Sequence, residues 1–397
     1  MKPLASIFLI LFAWTGASAP VLAQDDALEE ERQAEAERKE KFRSGFQEII
    51  DDLNKGSLER FQLAIDQENM LERIYGLRLI DQKVKRQFSE DFETSLEGII
   101  KGVFAPMQGN IRAAWLGFGS KGDRAKAIIR YDLPDFQFTY HEYELRLDRH
   151  GNVEIVDWID FLEGEQFSEG FGNYLVSVNP GKPAVRKLID FQGPSEQQVF
   201  QLTELLKAAR DRRVDRYFEI LEGAHEDIRR QRVVVVMSVQ LSKATRQRRK
   251  LRTALIDVDK YFPDDPLYSL MLLDYYFPSQ KYDLAMQALL RLQDRLRVQD
   301  PAMSARLSAA ALTMDMREDA LAYAEHAVQY EPGLELGWWS ALRARSAMRQ
   351  YGPAIEALEM LEKNFGYTLD QAAFEKDPVM AGLMHSQEFA DWFLEHE

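Results

Sequence analysis

The sequence predicts two parts, an α+β domain in the N-terminal half and an all-α solenoid of helical hairpins in the C-terminal half. A repeat predicts the solenoid, because five equivalent positions lie 34, 34, 35 and 34 residues apart, at Tyr217, Leu251, Ala285, Ala320 and Ala354. A period of about 34 residues is typical of stacked helix–turn–helix units. A change of apolar spacing predicts the α+β domain. The helical period before residue 105 gives way to strand-like segments over residues 111–161.

The first residues predict export. Lys2 is followed by an apolar run over residues 4–14 and then by small residues up to Ala23, which is the pattern of a secretory signal peptide. The run is shorter than the roughly 20 apolar residues of a membrane-spanning helix. We therefore expect cleavage near Ala23 and a periplasmic or secreted mature chain, most simply in a bacterial cell envelope. The chain has no cysteine, which excludes disulfides, thiolate metal sites and cysteine-linked lipids.

These signals divide the chain into consecutive segments. Glycine and proline residues mark the end of the predicted domain and the connection that follows it. The predicted order is a signal peptide over 1–23, a charged helix over 24–53, an α+β domain over 54–165, a linker over 166–194, helical repeats over 195–367 and capping helices over 368–397. Within the linker, residues 174–178 are expected to form a short strand.

The sheet of the α+β domain is predicted to be antiparallel and curved, with strands over residues 111–118, 124–131, 136–147 and 153–161. The third segment is long, and its apolar side changes from Phe138 and Tyr140 to Tyr143 and Leu145. Because side chains alternate between the faces of a strand, this change predicts a β-bulge. Residues 117–122 match G-x-G-x-x-G, but a strand follows where a dinucleotide site requires a helix, so we expect a hairpin turn.

Helices followed by a meander of long curved strands resemble the nuclear-transport-factor-2-like (NTF2-like) fold and the neighbouring cystatin-like class, over roughly residues 45–165. The resemblance implies a pocket between the helices and the concave face of the sheet. Candidate lining residues are Tyr140, His141, Tyr143 and Asp157. A histidine near a carboxylate is an option for general acid–base chemistry.

Residues 195–367 resemble the tetratricopeptide repeat (TPR) family. The clearest copy runs from Pro301 to Leu334 and carries residues typical of the family at Leu307, Ser308, Ala320, Ala324, Ala327 and Pro332. The resemblance implies an array that binds a protein or peptide in a groove lined by the first helix of each repeat. Candidate groove residues are Ser304, Arg306 and Trp338. The apolar run over residues 233–236 is interpreted as a buried helix, because the period continues through it.

Charge is distributed unevenly along the chain. Without Lys2, the chain contains 49 basic and 65 acidic residues, which gives a formal net charge of −16. Residues 207–252, the basic belt, hold 14 basic and 6 acidic residues, a net charge of +8. Residues 151–170 hold six acidic residues and no basic one. Such a dipolar chain favours association with charged partners, and Arg246, Arg248, Arg249 and Arg252 are the candidate contacts for an acidic surface.

No catalytic, cofactor or metal site is predicted. None of the six histidines forms an H-E-x-x-H motif, and the acidic residues of 154–169 lack the spacing of a calcium loop. The leading interpretation is therefore a non-enzymatic exported adaptor or scaffold for a protein or peptide partner with an acidic surface. Nucleic acid is not expected as a partner of an exported chain.

Two alternatives stay open. One is a small-molecule carrier or enzyme that uses the pocket of the N-terminal domain. The other is an envelope protein that docks peripherally on anionic lipid through the basic belt. The sequence leaves the identity of the partner and the oligomeric state open.

Overall fold

The computed structural model describes residues 19–76 and 78–396, so the predicted signal peptide lies outside it as far as residue 18. Helices and an antiparallel sheet form the N-terminal part, and the rest of the described chain is helical. None of the described helices combines the length and the apolar character that crossing a membrane requires.

The helices before the sheet are α1 (Ala19–Asn54), α2 (Glu59–Leu63), α3 (Gln67–Tyr75) and α4 (Gln82–Phe104), with a 3-10 turn at Ala105–Met107. Residues 29–41 of α1 are mostly charged and exposed, whereas its apolar residues from Phe42 onward are buried at helical spacing. Asp66 and Asp81 cap α3 and α4 with their carboxylates. Asn54 ends α1 and fixes it to the sheet, because its amide bonds both main-chain groups of Ala113.

The sheet has five described strands, each adjacent to the next in chain order: β1 (Ala113–Lys121), β2 (Arg124–Asp132), β3 (Phe138–Leu147), β4 (Val153–Asp160) and β5 (Glu165–Gln166). Gly122 and Asp123 join β1 to β2, and the φ of +62° at Gly122 favours glycine. The glycine-rich motif therefore ends in the predicted hairpin turn at Gly122, whereas its residues 117–121 belong to β1. In the β3–β4 pairing, Glu144 pairs with Asp157 and Leu145 with Ile155, so the extra residue is Val156 of β4. The bulge predicted for β3 therefore lies in its partner strand.

Residues 166–194, predicted to be a linker, contain two helices, α5 (Phe167–Val178) and α6 (Lys182–Lys187). The expected strand over residues 174–178 is the end of α5, where Leu175 and Val176 are buried. Gly172 explains the difference, because a Cβ there would lie 2.6 Å from the main-chain oxygen of Ile74. Glycine at this position permits close packing of α5 on α3 and does not mark a loop.

The helical part is a series of packed helix pairs: α7 (Glu196–Arg210) with α8 (Val214–Glu222), α10 (Arg232–Ala244) with α11 (Arg248–Tyr261), α12 (Ser269–Tyr276) with α13 (Tyr282–Leu296), α14 (Pro301–Thr313) with α15 (Arg317–Tyr330), and α16 (Glu335–Ala347) with α17 (Tyr351–Phe365). The short helix α9 (Glu226–Arg229) and a 3-10 turn at Pro266–Tyr268 lie between pairs. Residues 233–236 lie in α10 and are mostly buried, so they form the buried helix that the period predicts.

One turn geometry recurs in every pair. A non-glycine residue adopts a left-handed φ between 53° and 60° at Arg212, Arg246, Gln280, Asp315 and Arg349. The N–H of the next residue bonds the carbonyl oxygen five positions earlier, over 2.8–3.0 Å, which closes the end of the first helix. These turn residues are 34, 34, 35 and 34 positions apart. The repeat predicted from side chains is therefore present in the backbone.

The last described helices are α18 (Gln371–Lys376), α19 (Ala381–Met384) and α20 (Gln387–His396). They pack on α16 and α17 through the buried side chains Phe374, Met380, Leu383, Phe389 and Trp392. These helices cover the end of the helical part, where capping helices are expected.

The sheet lies between the two sets of helices. Tyr143 and Leu145 of β3 belong to a core shared with α1, α2 and α4. Phe138 and Tyr140 of the same strand belong to a second core, with apolar residues of α12, α13 and α14. β3 is therefore buried on both faces, which accounts for its change of apolar side more directly than the bulge does.

Candidate functional site at the sheet and the helical repeats

The predicted pocket of the N-terminal part is a closed core. Tyr143 and His141 are 0% and 1% exposed, and the Tyr143 oxygen lies 2.8 Å from His141 Nδ1. The rings of Phe46 and Phe61 pack on Tyr143 at centroid distances of 5.3 and 5.9 Å. His141 Nε2 lies 3.4 Å from the carboxylate of Asp160. Aromatic side chains fill the volume that a ligand would need, which corrects the expectation of an open cavity here.

Asp157 is not the partner of His141. Its carboxylate accepts hydrogen bonds from Gln166 Nε2 at 2.6 Å and from the N–H groups of Trp158 and Ser168 at 2.9 and 3.2 Å. Burial raises the pKa of Asp157, although these donors act in the opposite direction. The carboxylate thus joins β4 to the start of α5, and its role in this arrangement is structural.

Tyr140 lies on the opposite face of the sheet, in what we call the Arg130 network: Arg130, Asp132, Tyr140, Asp300 and Glu331. Arg130 Nη1 and the Tyr140 hydroxyl donate to the two carboxylate oxygens of Asp300, over 2.6 and 2.5 Å. Arg130 also binds Glu331 through two nitrogens, at 2.6 and 2.8 Å, and Asp132 at 2.8 Å. The side chains of Arg130 and Asp300 are 1% and 0% exposed. This buried network holds β2 and β3 to α14 and α15.

A second ion cluster lies on the same face. The buried carboxylate of Glu142 accepts hydrogen bonds from Lys126 Nζ at 2.6 Å and from Arg295 Nη1, on α13, at 2.7 Å. Burial would raise the pKa of Glu142, but the two cations hold it below its ordinary value. The sheet therefore occupies the adjoining surface of α13 and α14, which is closed to other molecules.

The predicted groove residues contact the chain itself. Ser304 is buried, and its hydroxyl lies 3.0 Å from Nδ1 of His326. Arg306 donates to the main-chain oxygen of Phe136 in the β2–β3 turn over 2.7 Å. Trp338 is half-buried and donates its indole N–H to the main chain before α16 at 2.7 Å. The structure does not bring these three side chains together in an open groove.

Much of the basic belt is neutralised within the molecule. Between residues 207 and 232, the cations paired with described carboxylates at 2.8–3.7 Å are Lys207, Arg210, Arg213, Arg216, Arg229, Arg230 and Arg232. Surface pairs of this kind stabilise a fold by at most about 1 kcal/mol each. They nevertheless reduce the charge that the belt can offer to another molecule.

The other predicted belt residues, Arg246, Arg248, Arg249 and Arg252, form what we call the arginine patch. All four are exposed, and no carboxylate in the described part of the chain forms an ion pair with any of them. The patch lies at the α10–α11 turn and along the first turns of α11. The first turn of α11 contains no acidic residue and no side-chain cap. Because a helix N-terminus is itself positive, the arginines and the helix end add to one positive potential.

The Arg130 network is the structural feature that sequence reasoning missed. Arg130 lies between the apolar residues Ile129 and Tyr131, which is the pattern of a strand with one exposed face, so the sequence predicts an exposed side chain. Its partner Asp300 lies 170 residues away in the chain. The one available signal is the apolar and aromatic content of both sides of β3, which indicates a second buried face.

No protein-family model and no curated protein matches the chain. Among solved structures, a point mutant of MamA shares 19% identity and covers 43% of this chain and 96% of its own, with a TM-score of 0.31. MamA AMB-1 shares 16% identity and covers 45% of this chain and 96% of its own, with a TM-score of 0.34. MamA MSR-1 shares 19% and covers 43% and 97%, with a TM-score of 0.32. Scores this low establish neither the architecture nor the function of the chain.

The described residues contain no group of three or more histidine, aspartate or glutamate side chains arranged to hold a metal ion.

Proposed function

We propose that this chain is an exported protein-interaction scaffold, with a TPR-like array over residues 195–367 joined to an NTF2-like N-terminal domain. The observation that carries the proposal is the recurrence of one left-handed turn, with one closing hydrogen bond, at intervals of 34 or 35 residues. Repeats of this kind stack into an extended surface suited to protein partners. Export rests on the apolar run and the small residues before Ala23.

The N-terminal domain limits which surface a partner can use. The sheet covers α13 and α14 through the Arg130 network and through the apolar core around Phe138. A partner must therefore bind outside this junction. The arginine patch is exposed and unpaired within the described chain, and it lies at the α10–α11 turn, outside the Arg130 network.

Charge favours an acidic partner at the arginine patch. The whole chain carries a formal net charge of −15, so an acidic protein is repelled at long range by most of the surface. At the arginine patch the local charge is positive, and the positive N-terminal end of α11 adds to it. Complementary charge mainly raises the association rate, and salt screens the effect beyond a Debye length of about 8 Å at physiological ionic strength.

The test compares wild type with two quadruple variants of the full chain. The first replaces Arg246, Arg248, Arg249 and Arg252 with glutamine, which keeps helix propensity high. The matched control replaces four other exposed arginines with glutamine: Arg86, Arg112, Arg124 and Arg149. Partners are captured by crosslinking from the cell envelope, and association rates with the captured partner are then measured at low and physiological salt.

We expect wild type and the control to capture the same acidic protein. The patch variant should associate at least about tenfold more slowly at low salt, with a weaker dependence on salt. Equal rates for the patch variant and the control would contradict the proposal. Binding of anionic vesicles that depends on the patch, without a captured protein, would instead favour the lipid-docking alternative.

Export has its own test. Intact-mass analysis of the protein from its native envelope should find a mature chain that begins at Gln24. A chain that still begins at Met1 would contradict the proposed export.

A further inference from the structure

A surface cleft of about 580 Å³ lies between α4, the end of β4 and α5, outside the Arg130 network and the arginine patch. It borders the closed core, because Trp158 of β4 contributes to both. Its volume is within the range of roughly 300–1,000 Å³ that is typical of small-molecule sites.

Aromatic residues form one wall of the cleft, where Phe167, Phe171 and Tyr174 are at least partly exposed and Trp158 is 1% exposed. Trp158 and Phe167 stack with their ring centroids 4.0 Å apart, and Phe171 follows at 4.9 Å from Phe167. Tyr174 lies at the rim, with 54% of its surface exposed. Aromatic rings contact apolar groups readily, and their faces attract cations.

Carboxylates form the second element of the cleft: Asp160, Glu163 and Glu165 line it, and no described lysine, arginine or histidine does. Asp160 is compensated by His141 and by the N–H groups of Leu162 and Glu163. Glu165 accepts a hydrogen bond from Gln240 Nε2 at 2.7 Å. Neither Glu163 nor Glu165 forms an ion pair with a described cation, although Lys243 and Arg78 are near enough to Glu163 and Glu165, respectively, to attract their charge. Lys243 itself pairs with Asp274. Negative charge facing the cleft is therefore only partly neutralised.

The opposite wall is kept open by glycine. Gly98 and Gly102 lie one turn apart on α4 and both line the cleft. Neither has a positive φ, and a Cβ built on either would meet nothing within 4 Å. Glycine inside a helix is destabilising relative to alanine, and neither the backbone nor packing requires it here. The open space of the cleft is the feature that these two glycines preserve.

We propose that this cleft binds a small organic cation, an amine or quaternary ammonium group attached to an apolar body. The aromatic wall receives the apolar body and faces the cation, and the carboxylates of Glu163 and Glu165 neutralise its charge. The site is separate from the arginine patch and does not depend on the proposed scaffold function. An anion of the same size would meet uncompensated carboxylates and is rejected.

The probe is benzyltrimethylammonium, compared with benzyl alcohol as the neutral analogue and benzoate as the anionic one. Binding to the full chain is measured by calorimetry and by tryptophan fluorescence at pH 8, because burial raises the pKa of Glu165 to about 7 and the carboxylate must be ionised to attract a cation. We expect the cation to bind at least about tenfold more tightly than benzyl alcohol, and benzoate not to bind. Equal affinity for the cation and the alcohol would overturn the proposal.

Two variants and one control variant locate the site. The double variant Glu163→Gln, Glu165→Gln removes both charges and keeps the shape of the side chains, so it should weaken binding at least about tenfold. The control is Glu169→Gln, at an exposed acid outside the cleft, which should change the affinity less than about threefold. Gly102→Leu places a large side chain in the cleft, so binding should be lost. Because leucine has a higher helix propensity than glycine, the melting temperature should be equal to that of wild type or higher. Unchanged affinity in Gly102→Leu would overturn the assignment.

A lysine side chain of a protein carries the same chemistry, so a blocked lysine tripeptide serves as a competitor. Weaker competition than that of the small cation supports the proposal. Stronger competition would overturn it in favour of a cationic protein segment.

Discussion

The two faces of the sheet are both buried, but by different side chains. On the face toward α1, α2 and α4, aromatic rings dominate, and the polar contacts include the bond between the Tyr131 and Tyr143 hydroxyls at 2.8 Å and the contact of His141 with the Asp160 carboxylate at 3.4 Å. On the face toward α13 and α14, a comparable apolar core surrounds buried ions, with Arg130 and Asp300 at its centre. The first face is the core of the N-terminal part. The second is a junction between the sheet and the helical repeats, and its specific contacts are ion pairs.

This difference has an energetic consequence. An aromatic core tolerates small changes of shape, whereas a buried ion network depends on every member, because removing one partner leaves another charge buried and unpaired. The junction is therefore expected to be the more sensitive of the two faces to single polar substitutions.

Arg130→Met should have the largest effect. It leaves Asp300 buried without its cation and Glu331 without its bidentate partner, which we expect to lower the free energy of unfolding by about 3–5 kcal/mol. Urea unfolding followed by circular dichroism measures this change. A loss below about 1 kcal/mol would show that the junction is not more sensitive to substitution than the aromatic face.

Glu165 of β5, which lines the cleft and lies outside the junction, gives the stability of the fold a pH dependence. Burial, together with the nearby carboxylates Glu163, Glu169 and Asp160, raises the pKa of Glu165 to about 7, although Gln240 donates a hydrogen bond to it. Because the folded state holds this proton more tightly than the unfolded state, its stabilising contribution is full below about pH 4.5 and is lost as pH rises through 7.

Glu165→Gln should therefore be more stable than wild type at pH 8, by about 1–3 kcal/mol, and should lose that advantage at pH 4. Thermal or urea unfolding across this range measures the difference. A difference between variant and wild type that does not change with pH would show that Glu165 titrates normally.

The same substitution, tyrosine to phenylalanine, can be made on each face of β3 to compare the two faces. Tyr140→Phe removes a bond to a carboxylate on the junction face, and Tyr143→Phe removes neutral bonds on the aromatic face. We expect losses of about 1.5–3 kcal/mol and about 0.5–1.5 kcal/mol, because hydrogen bonds to charged groups contribute more. Equal losses in unfolding experiments would mean that the faces do not differ in this respect.

Local pattern predicted much of this molecule. The helical period, the glycine-rich hairpin at Gly122 and the 34-residue repeat depend on neighbouring residues, and the structure contains all of them. The partner of Arg130 and the burial of His141 depend on contacts between distant segments, for which one sequence carries no signal. The linker around Gly172 failed as a prediction because this glycine marks a close contact between two helices and not a turn.

The candidate site was predicted less well than the fold. Spacing and charge placed the arginine patch on an exposed surface, where the structure also has it. Sequence reasoning also missed that most other cations of the basic belt are paired, although the partners of all but one lie one to three positions away in the chain. The exception is Arg232, whose partner Asp265 depends on helix packing.

A double-mutant cycle between Arg130 and Asp300 tests most directly the central claim that the sheet is clamped to the helical repeats by a buried ion network. The cycle uses Arg130→Met, Asp300→Asn and the double variant, with free energies of unfolding from urea titrations. The two residues are 170 positions apart in the chain and are joined by a hydrogen bond of 2.6 Å. A coupling energy of about 2–3 kcal/mol is predicted. Additive effects, with coupling below about 0.5 kcal/mol, would contradict the clamp.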